Sequence, residues 1–276
     1  MSQPDMQPDN NVPGYGSFQD QPLAPPQPPP ATQEPARLGP FERLFGTLFS
    51  PGETFADINR KPTWLVPVIL GIIIAVGFSL FFEWRVNPDY EEIVRNQIKQ
   101  ATERTGQPMP PDDQIRQQAG FARIIGRIAP FVFPPLFLFL IAGIFALGLM
   151  MMAAQTTFKK ILSVVAWSNT ATALIYIIVA AASLMLRDPA TVDPTQPGSI
   201  AATNLGAFVS TDPGPLRAVL SSIDIFTIWF LILLSIGFAA ISGAKRFTAG
   251  KTATLVFGLW AVWLVVRAGM GAVFGG

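Results

Sequence analysis

The chain has 276 residues, 50% of them hydrophobic and 13% charged, with a net charge of +1 and neither cysteine nor histidine. Soluble domains carry about a quarter charged residues; here the charge deficit falls in long uncharged runs, and the mean hydropathy is +0.40. The near-neutral balance, without a basic stripe or nucleic-acid motif, excludes nucleic acid as a partner class, and the missing His and Cys remove the usual ligands of zinc, haem and iron–sulfur sites and the pairs of Ser-His and Cys-His catalysis.

No cofactor, no metal and no enzymatic activity are therefore expected. Residues 1–37 read as a disordered, Pro-rich cytoplasmic tail containing the run Pro25-Pro26-Gln27-Pro28-Pro29-Pro30. Such a segment has too little apolar surface to offset its ordering entropy, and its prolines favour polyproline II. It reads first as a solvated tail or tether, with a ligand for a proline-recognising domain as the second reading.

Phe41, Leu44, Phe45, Leu48 and Phe49 then recur at three-to-four spacing, the pattern of one helix face. Ser50-Pro51-Gly52 interrupts it, and Ser50 or Thr54 can cap the short helix that follows. With Arg43, Arg60 and Lys61 flanking the apolar face, the segment fits an amphipathic helix in the membrane interface. It fits a helix packed on the transmembrane bundle equally well.

Five segments stay apolar for the roughly 20 residues that a bilayer core requires. They are Thr63–Phe82, Phe131–Ala154, Ile161–Leu186, Ile223–Ala244 and Thr254–Phe274. None alternates with the period of a barrel strand, so helices satisfy the backbone in lipid. The expected fold is an all-α membrane protein with five transmembrane helices behind the short amphipathic helix. The short links Gln155–Lys160 and Lys245–Ala253 make hairpins of spans two and three and of spans four and five. Two links are long. Glu83–Pro130 contains a helical stretch, Asp89–Thr105, and a Pro-rich break, Gln107–Pro111; Arg187–Ser222 is rich in Pro, Gly, Thr and Asp. Its Asp-Pro steps, Asp188-Pro189, Asp193-Pro194 and Asp212-Pro213, are turn formers without the spacing of a calcium loop.

Lys and Arg near span ends set the orientation. Arg37, Arg43, Arg60 and Lys61, then Lys159 and Lys160, then Lys245, Arg246 and Lys251 fall on one side of a five-span chain. That places the N-terminus in the cytoplasm, although Arg123 and Arg127 in the first long link run against it.

Several stretches resemble the Yip1-domain membrane proteins in their bacterial form. Phe49-Ser50-Pro51-Gly52-Glu53-Thr54-Phe55, followed by Trp64 and Pro67, is similar to the family's Phe-x-Pro-x-x-Thr-Phe entry segment. Phe158 to Trp167 resembles the opening of its third span. Asp224-Ile225-Phe226-Thr227-Ile228-Trp229, continuing to Gly237, resembles the Asp-x-Phe-x-x-Trp of bacterial members. A proline frequent in the middle of the family's third span is absent, as is the Asp-Leu-Tyr-Gly-Pro signature of eukaryotic relatives. The family-motif positions are thus Pro51, Thr54, Phe55, Pro67, Asp224, Phe226, Trp229 and Gly237. The resemblance implies a Yip1-like transmembrane domain over residues 38–276, without a known reaction, in a prokaryotic cytoplasmic membrane. It implies a role in assisting partner membrane complexes.

Two charges stand at membrane depth, Asp224 and Arg267, where ionisable groups face a bundle interior or a partner. The last hairpin brings them to similar depth, so a pair, direct or through water, is expected. Glu83 is the rival partner, and a stability pair or a snorkelling arginine explains the charges without any ligand. Asn169 and Thr170 suit hydrogen bonds to a neighbouring helix; Ser235, Ala239 and Gly243 form a small-residue ridge for packing within the bundle or in a homo-oligomer. Trp64, Trp229, Trp260 and Trp263 are interface anchors or core. Two functions compete. One is a non-enzymatic organiser or helper of a partner membrane complex or a trafficking-like process. The other is a small-solute or ion transporter or channel built on the Asp–Arg pair. Partners are the lipid bilayer and a membrane protein or further copies of the chain.

Overall fold

The structure is a computed structural model that describes residues 36–194, 200–209, 215–243 and 247–274. The Pro-rich run, Asp212-Pro213 and Lys245-Arg246 lie outside them. Among the described residues the only extended pairing is an isolated bridge between Asn204 and Asp224; everything else regular is helical.

Two short helices come first, α1 (Pro40–Phe49) and α2 (Pro51–Arg60). Each begins with proline at its first position, where a missing N–H costs nothing. The Glu42 carboxylate accepts the Gly39 amide at 2.7 Å, closing the start of α1 as in a capping box. Ser50 sits at the cap position of α2 without a side-chain cap bond; Thr54 instead donates back to the Ser50 carbonyl at 3.0 Å.

The long helices are α3 (Leu65–Val86), α5 (Asp112–Met151), α6 (Phe158–Leu186) and α9 (Ala249–Phe274); α4 (Tyr90–Thr105) and the brief α7 (Pro215–Leu220) lie between them, and α8 (Ile225–Ile241) precedes α9. Four of these helices are long and apolar enough to cross a membrane, and α8, with 17 residues, is shorter. Local chemistry sets their ends. Asp89 accepts the Glu91 and Glu92 amides to start α4, and Gly106, at φ 70°, ends it in the left-handed conformation that glycine adopts freely. Asp224 caps α8, and Gly243, at φ 71°, follows its C-terminus.

The largest departure from the sequence-based expectation is α5. Its 40 residues extend the second span back to Asp112, so Asp112–Pro130 is helix rather than link. Pro130, Pro134 and Pro135 lie inside it and leave the carbonyls of Gly126, Pro130 and Phe131 without their helical amide donors. The helix persists because a bilayer offers the backbone no other donors. At 1.5 Å per residue α5 is about 60 Å long, twice the bilayer core, so its first half projects beyond the span. There it pairs with α4 around Val94, Ile115 and Ala119.

The main core gathers around α6, whose stretch Ile161–Ser168 is buried on every side, as a central helix requires. Trp167, Phe55 and Phe238 are the largest fully buried side chains. Here α1 and α2 are part of the bundle. Leu44 and Leu48 turn inward with Phe55 and Ile58, whereas Phe41, Phe45 and Phe49 face outward. The predicted apolar face of α1 is thus divided between the bundle and its surroundings. Gly237 lets α2, α6 and α8 meet: a β-carbon there would run into Val164 and the Phe55 ring. Of the small-residue ridge, Ser235 packs within the bundle, where Thr252 of α9 donates to its carbonyl at 2.6 Å. At the opposite end, Ile200 and Ala201 join Ala180, Leu184 and Val192 over Phe78, Phe81 and Phe82. Residues 200–208 therefore form a strap across the ends of α3 and α6.

Candidate functional site

The strap meets the start of α8. Leu205 donates its amide to the Ile223 carbonyl at 3.0 Å and Ile225 to that of Thr203 at 3.3 Å. Between them lies Asp224. Its Oδ1 accepts the amides of Phe226 at 2.8 Å and Thr227 at 3.3 Å, so the carboxylate sits at the electropositive end of the α8 dipole. Its Oδ2 accepts the Thr203 hydroxyl. Asp224 is held by one helix end and one loop.

Arg267 faces the same space from α9. A cavity of about 680 Å³ lies between α5, α6, α8 and α9, and both charges line it. They do not form the expected direct pair: no ion pair joins Asp224 and Arg267, and Arg267 makes no hydrogen bond with the described residues. The helix cap and Thr203 fix the carboxylate at the strap and fill three of its roughly four acceptor positions. Glu83 is no rival, because its carboxylate, at the C-terminal end of α3, is engaged by Arg127 at 3.4 Å and by the Tyr90 hydroxyl at 3.4 Å. Burial, and then the Glu83 carboxylate, push the Tyr90 phenol upward.

The rest of the cavity wall is largely apolar and aromatic: Tyr176 meets Phe226 edge-on at 5.7 Å, and Trp260 and Trp263 also line it. Asn169 and Thr172 of α6 reach the wall as well. Thr172 is only 7% exposed and its hydroxyl has no hydrogen-bond partner. Its neighbour Thr170 does bond a neighbouring helix, donating to the Pro67 carbonyl at 2.8 Å. A second cavity of about 490 Å³ shares Phe137, Leu140 and Asn169 with the first.

A second polar cluster lies where hydropathy alone marks only an apolar helix face. Arg43, which flanks the apolar face of α1 in the sequence, is 4% exposed. Its Nε and Nη2 donate to Asp57 Oδ2 at 3.0 and 2.7 Å, and its Nη1 donates to the Lys61 carbonyl at 3.1 Å and the Thr63 hydroxyl at 2.6 Å. The Arg37 amide completes the set at Asp57 Oδ1, 2.7 Å away. Burial raises the Asp57 carboxyl, but the bonds from Arg37 and Arg43 outweigh it and hold the group below its ordinary value. The signal was present in the sequence: Arg43 and Thr47 share the helix face of Leu44 and Leu48, so a wheel centred on those leucines carries the arginine inward.

The remaining motif positions are packing positions. Pro51 opens α2, Phe55 is fully buried, the Pro67 carbonyl holds Thr170, and Trp229 is half-buried against the core. A Yip1 domain is matched over residues 45–270.

The chain belongs to the Yip1 family.

It is also 27% identical over 235 residues to membrane protein YknW of Bacillus subtilis (strain 168), an alignment that covers 84% of this chain and 90% of that protein. No solved structure matches. With its apolar helices and a bacterial membrane protein as a relative, this Yip1 protein is an integral membrane protein. Its core is built on the motif residues: α2, α6 and α8 meet where Phe55, Val164 and Gly237 touch.

Proposed function

We propose that this Yip1 protein has no reaction of its own and organises or assists a partner membrane complex. It crosses the membrane five times with the N-terminus in the cytoplasm, α8 being the fourth crossing. At 17 residues α8 is about 25 Å long, a little under the bilayer core of about 30 Å, and it carries no charge. The cations near α1, α2 and the α5–α6 turn share one side in that arrangement, in keeping with the positive-inside tendency. The chain has no cysteine, so single cysteines report topology directly. One placed at Phe49 should be labelled only from the cytoplasmic face and one at Phe208 only from the other; labelling of both from one face rules the arrangement out.

The observation that carries the partner role is the hairpin of α4 with the first half of α5. Phe121, Ile124, Ile125 and Ile128 are exposed there and follow one another at helical spacing, so they form a single apolar stripe. Phe121 lies about 15 Å along the helix from the start of the apolar run at Phe131. An apolar stripe beyond the spanning core is the kind of surface that another protein covers. A photo-crosslinking residue at Ile124 of the full chain in native membranes should join it to one integral membrane protein of different sequence, and a residue at Thr105 should not. Crosslinks to lipid or to a second copy alone would count against the reading.

A further inference from the structure

The cavity between α5, α6, α8 and α9 holds an acid and a base that do not meet. Unlike charges on the wall of one low-dielectric space are costly when either lacks a partner. Asp224 has three donors, whereas Arg267 has no hydrogen bond or ion pair with the described residues. The Thr172 hydroxyl on the same wall is buried and unpartnered. A guanidinium and a hydroxyl in this state are complementary to phosphate oxygens. A simple anion, however, would also face the Asp224 carboxylate, and a simple cation would face Arg267. A molecule carrying both charges suits both walls.

The cavity also has an apolar continuation. The second cavity shares Phe137, Leu140 and Asn169 with it and reaches Phe133 and Pro134 of α5, where Phe133 and Leu136 are exposed on the outer surface of the helix. Charged groups at the strap end and an apolar route toward the lipid-facing side of α5 describe the outline of a membrane amphiphile.

We propose that this cavity binds one zwitterionic phospholipid of the ethanolamine type. Arg267 and Thr172 hold its phosphate, Asp224 accepts from its ammonium, and an acyl chain leaves along Phe137 and Leu140 into the bilayer. A primary ammonium donates hydrogen bonds to Asp224, which a quaternary choline cannot. The site does not depend on the partner role proposed above, and its test uses the isolated chain.

The full chain, purified and delipidated in mild detergent, is titrated with phosphatidylethanolamine, phosphatidylcholine or phosphatidylglycerol and followed by native mass spectrometry and thermal unfolding. Phosphatidylethanolamine should bind at one molecule per chain and raise the unfolding temperature, at least tenfold more tightly than phosphatidylglycerol or phosphatidylcholine. R267Q and T172V should each weaken that binding several-fold while unfolding at the temperature of the lipid-free parent. An unchanged preference in R267Q, or equal retention of all three lipids, would overturn the proposal. Should R267Q fail to fold, L140W, which fills the apolar continuation, must lower the bound fraction; if it does not, the site is not there.

Discussion

Replacing Arg43 by alanine should destabilise the protein by about 3–5 kcal/mol, the cost of stranding one member of a buried ion pair. Both side chains are 4% exposed, so Asp57 would be left charged and buried with only the backbone amides of Arg37 and Leu38. The Lys61 carbonyl and Thr63 hydroxyl would lose their donor in the same step, loosening the turn from α2 into α3. Thermal unfolding in detergent should fall by about 6–20 °C, on a scale of about 2–4 °C per kcal/mol for chains of this size. The double change Arg43→Met, Asp57→Leu should recover much of that loss, because an apolar pair of similar volume carries no desolvation cost. A single variant as stable as the parent would sink the account.

The same pair sets an acid dependence. The Asp57 carboxyl is held below its ordinary value of 3.8, so the folded state favours the charged form. Its contribution is complete above the unfolded value and disappears as pH falls through the lower, folded one. The parent should therefore lose stability below about pH 4 more steeply than Asp57→Asn, which starts less stable and lacks this component. Parallel stability curves for the two proteins in that range would contradict the assignment.

The second large effect concerns Trp167. Its ring is fully buried at the centre of the bundle, and its Nε1 donates to the Thr63 carbonyl at 2.9 Å. Trp167→Ala should cost about 3–5 kcal/mol through the cavity that it leaves. Trp167→Phe keeps much of the volume but leaves the Thr63 carbonyl without its donor, a loss of about 1–3 kcal/mol. Chemical unfolding midpoints should rank parent, Trp167→Phe and Trp167→Ala in that order. Equal losses for the two variants would show that the hydrogen bond, not the packing, dominates. The position matters because Thr63 also holds Arg43: one residue ties the buried pair to the central helix.

The apolar helices, their hairpin order and most of their ends were legible in the amino-acid sequence. A chain in lipid must satisfy its backbone within each helix, so length and hydropathy locate the helices. Caps such as Asp224 at α8 and Asp89 at α4 act over two or three residues and are equally local. The projecting half of α5 was not legible, because Pro130, Pro134 and Pro135 resemble helix breakers and only the absence of competing donors at membrane depth lets the helix run through them.

Partner choice among the charges belongs to the tertiary structure. Asp224 and Arg267 come to one cavity, as the hairpin required, yet the carboxylate goes to Thr203 on a strap that periodicity does not place. Arg43 reaches Asp57 because the inward rotation of α1 follows Leu44 and Leu48 and leaves Phe41, Phe45 and Phe49 outside. Hydrophobic pattern determines that a helix has an apolar side. Rotation about its axis is decided by contacts with other helices, and a few tens of degrees separate an arginine on the rim from one in the core.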